Sequence, residues 1–509
     1  MKKSQRNIRL VNISNFLIII VITGIITATF SDLFSFLSTV VNAVSDNEVS
    51  KDNNYRLKYT TFKKDDKKNS YNEQSNLKPA TPDEDSNVYV VWEELVLRKN
   101  NTFALEDIFF AKSNDKGKTF SSINLSNNKG GSLWPQISSE GNNVYVVWGD
   151  DTNSNDIEVF FTVSNDAGKK FNTIKKISNN IGFTEHPKIF SEGNNVYLVW
   201  KEGLLQTEDI FFARSNDTGK TFSTPINLSN DTAVSRDPKV LSAENNVYVV
   251  WRDYTHNNTD LIYNIFFKAS NDGGETFSSP ISLHYNKWGI FSPQLATADN
   301  NVYVLWHENI GNSLSSILFT RSNDTGKTFN TPIILSNGIG NSSSPQITSK
   351  GDNVYVVWDG YTNNNRDIFF TVSNDTGKTF STPITLSNNT IVSYSPQIMI
   401  EEKNVYIVWE SQIDKMYKIF FTGSNNNGQT FSTPIHLNTE TYYSTSPQLA
   451  TADKDVYIIW FDYNSLPGPT DSEIFFTASN DTGHTFDKPM NLSNSTRFST
   501  SPQNSSSIS

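Results

Sequence analysis

The sequence predicts an all-β fold, a single eight-bladed β-propeller of four-stranded antiparallel blades. Three observations carry that prediction. First, one unit recurs eight times: the Trp closing each Val-Tyr-Val-Val-Trp-like segment stands at 92, 148, 200, 251, 306, 358, 409 and 460, with spacings of 56, 52, 51, 55, 52, 51 and 51. A period of ~50 residues matches propeller blades. Second, every unit holds four short β-type segments separated by turn residues. Third, the last segment carries proline at 225, 280, 332, 383, 434 and 489, which removes a ladder donor and makes it an edge.

The most legible copy reads SSPQITSKGDNVYVVW (343–358) and RDIFFTVSNDTGKTFSTPITLSN (366–388). Strand A is the Pro-Gln-Ile segment and strand B is Val-Tyr-Val-Val-Trp. Strand C is Asp-Ile-Phe-Phe-Thr and strand D is Thr-Pro-Ile-x-Leu-Ser. Strands B and C are apolar at both alternating sets of positions, the pattern of a strand covered on two sides. An apolar inner pair with a proline-bearing edge fits blades stacked face to face about an axis.

Only the B–C connection varies. Measured from Trp to the first apolar residue of strand C, it runs 17, 12, 11, 15, 12, 11, 11 and 15. In a four-stranded blade the B–C and D–A connections share one face, and A–B and C–D share the other. The insertions therefore mark one face as the expected binding face. The first A strand is degenerate (LKPATPDED), while Ser501-Pro502-Gln503 opens a ninth A strand. That segment either seals the ring against the first blade or frays as a serine-rich tail. The propeller is expected over 77–503, with 504–509 a flexible tail.

Composition bounds the function. Aromatic residues make up 13% of the 509 residues, too many for a disordered chain. Lys+Arg 42 against Asp+Glu 53 gives a net charge of −11, which argues against nucleic acid as a partner. With no cysteine, disulfides, thiolate catalysis and Cys-based metal sites are excluded. Lys2, Lys3, Arg6 and Arg9 precede an apolar run from Phe16 to Phe30 and the small-residue site Val41-Asn42-Ala43. Residues 1–43 thus read as a signal peptide, or as an uncleaved anchor and membrane tether. Residues 44–76 are polar and aperiodic, a flexible stalk. The expected location is secreted or cell-surface, with the protein a monomer. About fourteen Asn-x-Ser/Thr sequons suit a glycosylated surface, although so Asn-, Ser- and Thr-rich a chain also produces them by chance.

The C–D turn is SNDTGKTF at 215–222, 322–329 and 373–380, with close variants in the other copies. The eight turns place Asp115, Asp166, Asp217, Asp272, Asp324, Asp375, Asn426 and Asp481 at one position. An Asp there accepts backbone N–H bonds within its own turn. The Gly two residues later supplies a left-handed conformation, and the Phe re-enters the sheet as an anchor. Asn426 keeps an acceptor but loses the charge, which predicts the weakest turn. One carboxylate per turn offers too few oxygens for calcium, so neither metal nor cofactor is expected.

On this Ser-x-Asp-x-Gly-x-Thr-Phe pattern the chain resembles the Asp-box (BNR-repeat) sialidase-like propellers over residues 77–503. The resemblance implies a structural box lying opposite the active face. For sialidases it also implies three arginines clamping a sugar carboxylate, a Tyr–Glu nucleophile pair and an Asp acid/base. Ser235-Arg236-Asp237-Pro238 matches the family's Arg-Ile-Pro motif in position, with Asp replacing Ile. Equivalent positions elsewhere hold Leu133, Glu185, Phe291, Ser343, Tyr394 and Thr445. Of the other arginines, Arg252 ends a strand B, Arg98 and Arg366 fall near B–C loops, and Arg214 and Arg321 lie beside boxes. No second and third arginine can be matched to a clamp, and lysines do not replace one.

Two residues after the strand B Trp lie Glu94, Asp150, Glu202, Asp253, Glu308 and Asp462, with Gly360 and Ser411 as exceptions. These carboxylates are candidates for acid/base chemistry, for cation chelation, or for solvated strand ends. Trp134, Trp288 and Tyr254 offer rings on the same face for sugar stacking or for plugging the hub. His186 beside Pro187 is either a ligand contact or a structural polar group. Near-identical blades favour a non-catalytic module binding a glycan or extracellular protein ligand through these residues, Arg236 and Arg252. The rivals are a sialidase-like glycoside hydrolase using Arg236, Glu202 and Asp253, and a protein-interaction scaffold.

Overall fold

The computed structural model describes residues 87–506 apart from 98–103, 153–155, 179–181, 205–206, 258–259, 312–313, 363–364, 388–391, 415, 439–442, 464–471 and 494–498. The expected signal region, the stalk, the degenerate first A strand and Arg98 lie outside the described residues. The described residues form eight four-stranded antiparallel sheets and no helix. In blade 2, for example, strand A is Ser132–Glu140, B is Asn143–Asp150, C is Glu158–Ser164 and D is the two-residue edge Lys175–Lys176. The other blades repeat this order, with A innermost and D outermost.

Strand B shows why adjacent blades adhere. Its alternating side chains point to opposite faces, and both faces are apolar. In blade 1, Val88, Val90 and Trp92 pack with Tyr457 and Ile459 of blade 8, whereas Tyr89 and Val91 pack with Val144, Val146 and Trp148 of blade 2. The core is therefore a set of seams between blades.

The box turn locks each seam. Its Ser, Asp and Thr satisfy one another: Ser215 Oγ donates to Asp217 Oδ1 (2.7 Å), Gly219 N to Ser215 Oγ (2.9 Å), and Thr221 Oγ1 to Asp217 Oδ2 (2.6 Å). The Thr119 and Ser113 hydroxyls hold the Asp115 carboxyl down at about 2. The Gly then abuts the strand C Phe of the preceding blade. At Gly326, with φ +81°, a Cβ would lie 2.7 Å from Phe267 Cζ. The box Phe meets that same ring edge-on, with centroids 4.8–4.9 Å apart in all eight seams.

Box turns and A–B hairpins share one face: Thr218 N donates to Asn194 O (2.9 Å) and Thr376 N to Asp352 O (2.8 Å). The variable B–C connections are at the opposite ends of the strands. In blade 4 the insertion extends the ladder, with B running Asn246–Asn257 and C Asp260–Ser270. Asn426 does not break its turn. Its Oδ1 accepts from Ser424 and Thr430 N, and its Nδ2 donates to Thr430 Oγ1 (2.8 Å), so the threonine hydroxyl merely reverses role.

Ring closure is resolved in favour of the strand. Ser499–Ser506 pairs antiparallel with strand B of blade 1, Val91 opposite Gln503, and runs past residue 503 to Ser506. Lys116 adds an ion pair to the buried Asp455 of blade 8 (2.8 Å).

Two outcomes follow for denaturant unfolding. Gly326→Ala combines a left-handed φ with an overpacked seam and should cost about 2–4 kcal/mol. Asn426→Asp should stabilise by under about 1 kcal/mol at pH 7. A box Asp has a depressed pKa, so its contribution is present above the unfolded value of 3.8 and fades as pH falls toward 2.

Candidate functional site

The carboxylates two residues after each Trp do not form a rim. They turn into the blade and accept the indole N–H: Trp92 donates to Glu94 (3.0 Å), Trp148 to Asp150 (3.0 Å), Trp200 to Glu202 (2.8 Å) and Trp460 to Asp462 (2.9 Å). A strand A hydroxyl comes from the other side, as Ser132 does to Asp150 (2.7 Å). Ser411 takes the acceptor role for Trp409 (2.9 Å). In blade 5, Glu308 instead pairs with His284 Nε2 of blade 4 (2.8 Å). Asp253 is 2% exposed, and burial pushes its carboxyl up to about 7. Burial likewise raises Asp462 to about 6. The regularity seen in the sequence is that of a structural element.

The informative column is the residue directly after the Trp. It reads Glu93, Gly149, Lys201, Arg252, His307, Asp359, Glu410 and Phe461. These side chains lie on the other face of strand B, toward the next blade. There they meet a β-bulge at the start of strand A, where the residue before each Pro adopts φ of 51–55°: Trp134, His186, Asp237, Ser292, Ser344, Ser395 and Ser446. The bulge amides recruit the column's carboxylates. Trp134 N donates to Glu93 (2.6 Å), Ser395 N to Asp359 (3.2 Å) and Ser446 N to Glu410 (3.2 Å).

Across blades 3–7 this column builds a mouth of cations and rings. Lys201 bridges Glu185 (2.6 Å) and Glu208 (3.0 Å), and Glu208 holds Arg236 Nε (2.7 Å). The Arg236 guanidinium lies 5.5 Å from the Tyr254 ring. Arg252 donates to Asp237, the residue that replaces Ile in the Arg-Ile-Pro position, and covers the Phe291 ring at 5.3 Å. Phe291 stacks on His307 with centroids 5.2 Å apart. Arg366 Nε donates to Asp359 (2.7 Å), and its guanidinium sits between Tyr361 (5.4 Å) and Tyr394 (4.9 Å). Tyr417 continues the run 6.2 Å from Tyr394.

Two protonation states stand out. Burial, and then the charges of Arg252 and Arg366, push His307 down to about 3, so its imidazole is neutral at physiological pH. Its buried Nδ1 has no hydrogen-bond partner in the protein. Burial lifts Glu410 to about 7 against the opposing bonds from Ser446 N and Ser395.

Of the residues expected from the sequence, Arg236, Arg252 and Tyr254 belong to this mouth. Trp134 and His186 meet at a tilt of 42° with ring centroids 4.6 Å apart, at the bulges of blades 2 and 3. Trp288 stands exposed at the rim between blades 4 and 5. Arg214 is at the box end, bonded to Glu275 (2.8 Å). Sequence reasoning did not assign Lys201, His307, Asp359, Arg366 or Glu410. For all but Arg366, which lies on strand C, the signal was present as a strand B column whose chemistry changes from blade to blade. No ring of metal-ligating side chains occurs among the described residues.

A BNR repeat-like domain matches residues 193–408, from the A–B hairpin of blade 3 to strand B of blade 7. No curated protein sequence matches the chain. Similar solved structures include a PL25 ulvan lyase bound to -[GlcA(1-4)Rha3S]-, at 12% identity and TM-score 0.45, covering 68% of this chain and 92% of that one. Another is the polysaccharide lyase Uly1, at 10% identity and TM-score 0.46, covering 69% and 90%. A Penicillium chrysogenum α-L-arabinanase complexed with arabinobiose matches at 14% identity and TM-score 0.36, covering 55% and 88%.

The raised carboxyls set the sign of a pH dependence. The folded protein keeps protons on Asp253 and Glu410 up to about 7, where the unfolded chain has released them from 3.8 and 4.5 upward. Stability should therefore fall as pH rises from about 4 to 7 and level off above. Asp253→Asn should flatten part of that slope in thermal melts; an unchanged slope would contradict the assignment.

Proposed function

We propose, on the premise that the chain is a BNR-repeat, sialidase-like propeller, that it is an exported module which binds a glycan in the mouth of blades 4–7 and does not turn it over. One observation carries this reading: cations and aromatic faces alternate there, Arg252 on Phe291 on His307 and Tyr361 about Arg366. Sugars are recognised by such pairings, with ring faces meeting the C–H side of a pyranose and planar polar groups meeting its hydroxyls. Each guanidinium is already bonded to a carboxylate, Glu208, Asp237 or Asp359. Neutralised in this way, the three lack the surplus charge of a carboxylate clamp. Export rests on the basic, apolar and small-residue pattern of residues 1–43.

The rival with an observation of its own is hydrolysis, since Glu410 holds its proton near neutrality and acts electrostatically on Tyr417. A glycan array followed by calorimetry decides between them. Wild type should bind at least one glycan class. Tyr361→Ala and Arg366→Lys should each weaken it about tenfold. A fluorogenic sialoside and a reducing-end assay should show no turnover; turnover abolished by Glu410→Gln would replace binding with catalysis. A silent array would leave the protein-interaction scaffold.

A further inference from the structure

Eight of the ten tryptophans are sealed in strand B, yet Trp288 is 53% exposed and nearby Tyr285 is 73% exposed. The edge that leads to Trp288 is unlike the others. Strand D of blade 4, Ile281–Asn286, has six residues, whereas blades 2, 3 and 5–8 have two.

Trp288 is also held in place. Its N–H donates to Asn286 Oδ1 (2.6 Å), and Asn286 Nδ2 donates to Asn309 O (2.9 Å). Asn309 Nδ2 returns a bond to Trp288 O (3.2 Å), and Asn309 N donates to Gly289 O (2.9 Å). Gly311, with φ +86°, lies so close that a Cβ there would sit 3.3 Å from the indole. Lys287 Nζ is 4.8 Å from the ring centroid. Two asparagines thus fix the backbone that carries Trp288, and about half of that residue's surface stays in water, where folding gains nothing from it.

The same connection continues inward. Ile290 is buried, and Phe291 is the ring stacked between Arg252 and His307. Trp288 and Phe291 are three residues apart, at most about 10 Å along the chain. One backbone segment therefore carries a ring at the rim and a ring in the mouth.

We propose that Trp288 is an outer subsite that stacks a pyranose of a linear polysaccharide, whose next residues enter the mouth at Phe291 and His307. This rests on the glycan-binding reading and deepens it: the ligand is a chain spanning several subsites rather than a single terminal sugar. Lys287 stands beside the stacked ring and meets an acidic substituent where the polymer carries one.

Acrylamide quenching gives a direct readout, because Trp288 is accessible and the strand B indoles are not. The probes are cellohexaose and hexagalacturonate with their disaccharides, measured also by calorimetry. At least one hexasaccharide should shield the quenchable fraction, and its disaccharide should not. Trp288→Ala should weaken that hexasaccharide about 3- to 10-fold, leave the disaccharide unchanged, and be partly rescued by Trp288→Phe. Equal hexasaccharide affinity in wild type and Trp288→Ala, or undiminished quenching at saturation, overturns the subsite. Tyr361→Ala separates the two claims, since it should weaken both lengths alike. If it does so while Trp288→Ala is silent, the mouth stands and the subsite falls. If neither hexasaccharide binds wild type, both fall.

Discussion

The molecule depends on one contact made eight times: a box phenylalanine set edge-on against a strand C phenylalanine of the preceding blade, with a left-handed glycine tucked beside it. A lone blade has two apolar faces and no way to cover either. The ring covers both, but only if neighbours approach closely and in register. The hydroxyl–carboxylate lattice of the box gives the turn its shape, the shape brings a Cβ-free residue to the seam, and the aromatic pair fixes the spacing. Its polar bonds are spent internally, which leaves the box a building element.

How much of this was legible follows from what repetition preserves. Blade number, strand order, the proline edge and the face bearing the insertions could all be read, because eight copies constrain every position that builds the ring. The same logic misdirected attention to Glu202, Asp150 and their equivalents, whose regularity signalled chemistry but in four blades reflects an acceptor for the tryptophan indole. The residue before them was passed over in every blade but the fourth, where Arg252 stood out by its charge, because it does not repeat. Lys201, Arg252, His307, Asp359 and Glu410 share one register position and differ in charge, hydrogen-bonding and shape. The bonds that Asp359 and Glu410 accept from bulge amides of the next blade need the inter-blade geometry, and no local pattern encodes it. The bulge was hidden too, since a residue before proline ordinarily prefers an extended conformation.

The mouth also shows how a protein with a net charge of −11 keeps cations at its centre. Each guanidinium draws its partner from its own blade or the one before, so most of the cost of desolvation is met within the protein. What remains is direction: planar forks and ring faces held at set angles, with an uncharged imidazole among them. A surface of that kind discriminates by shape and hydrogen-bond pattern more than by attraction at a distance.

The strand that completes blade 1 has a temporal meaning. Val88 and Ser506 are neighbours in the finished sheet and lie at opposite ends of the described chain. Loop-closure entropy rises only logarithmically with length, so so wide a separation costs little at equilibrium. In time it costs a great deal, since a ribosome releases Ser506 long after Val88. Throughout synthesis the inner ladder of blade 1 waits unpaired, an open template of the sort that invites wrong partners. Closure of the ring thus waits for its last strand, which acts as a clock: any process that requires a pliant polypeptide has until that strand arrives.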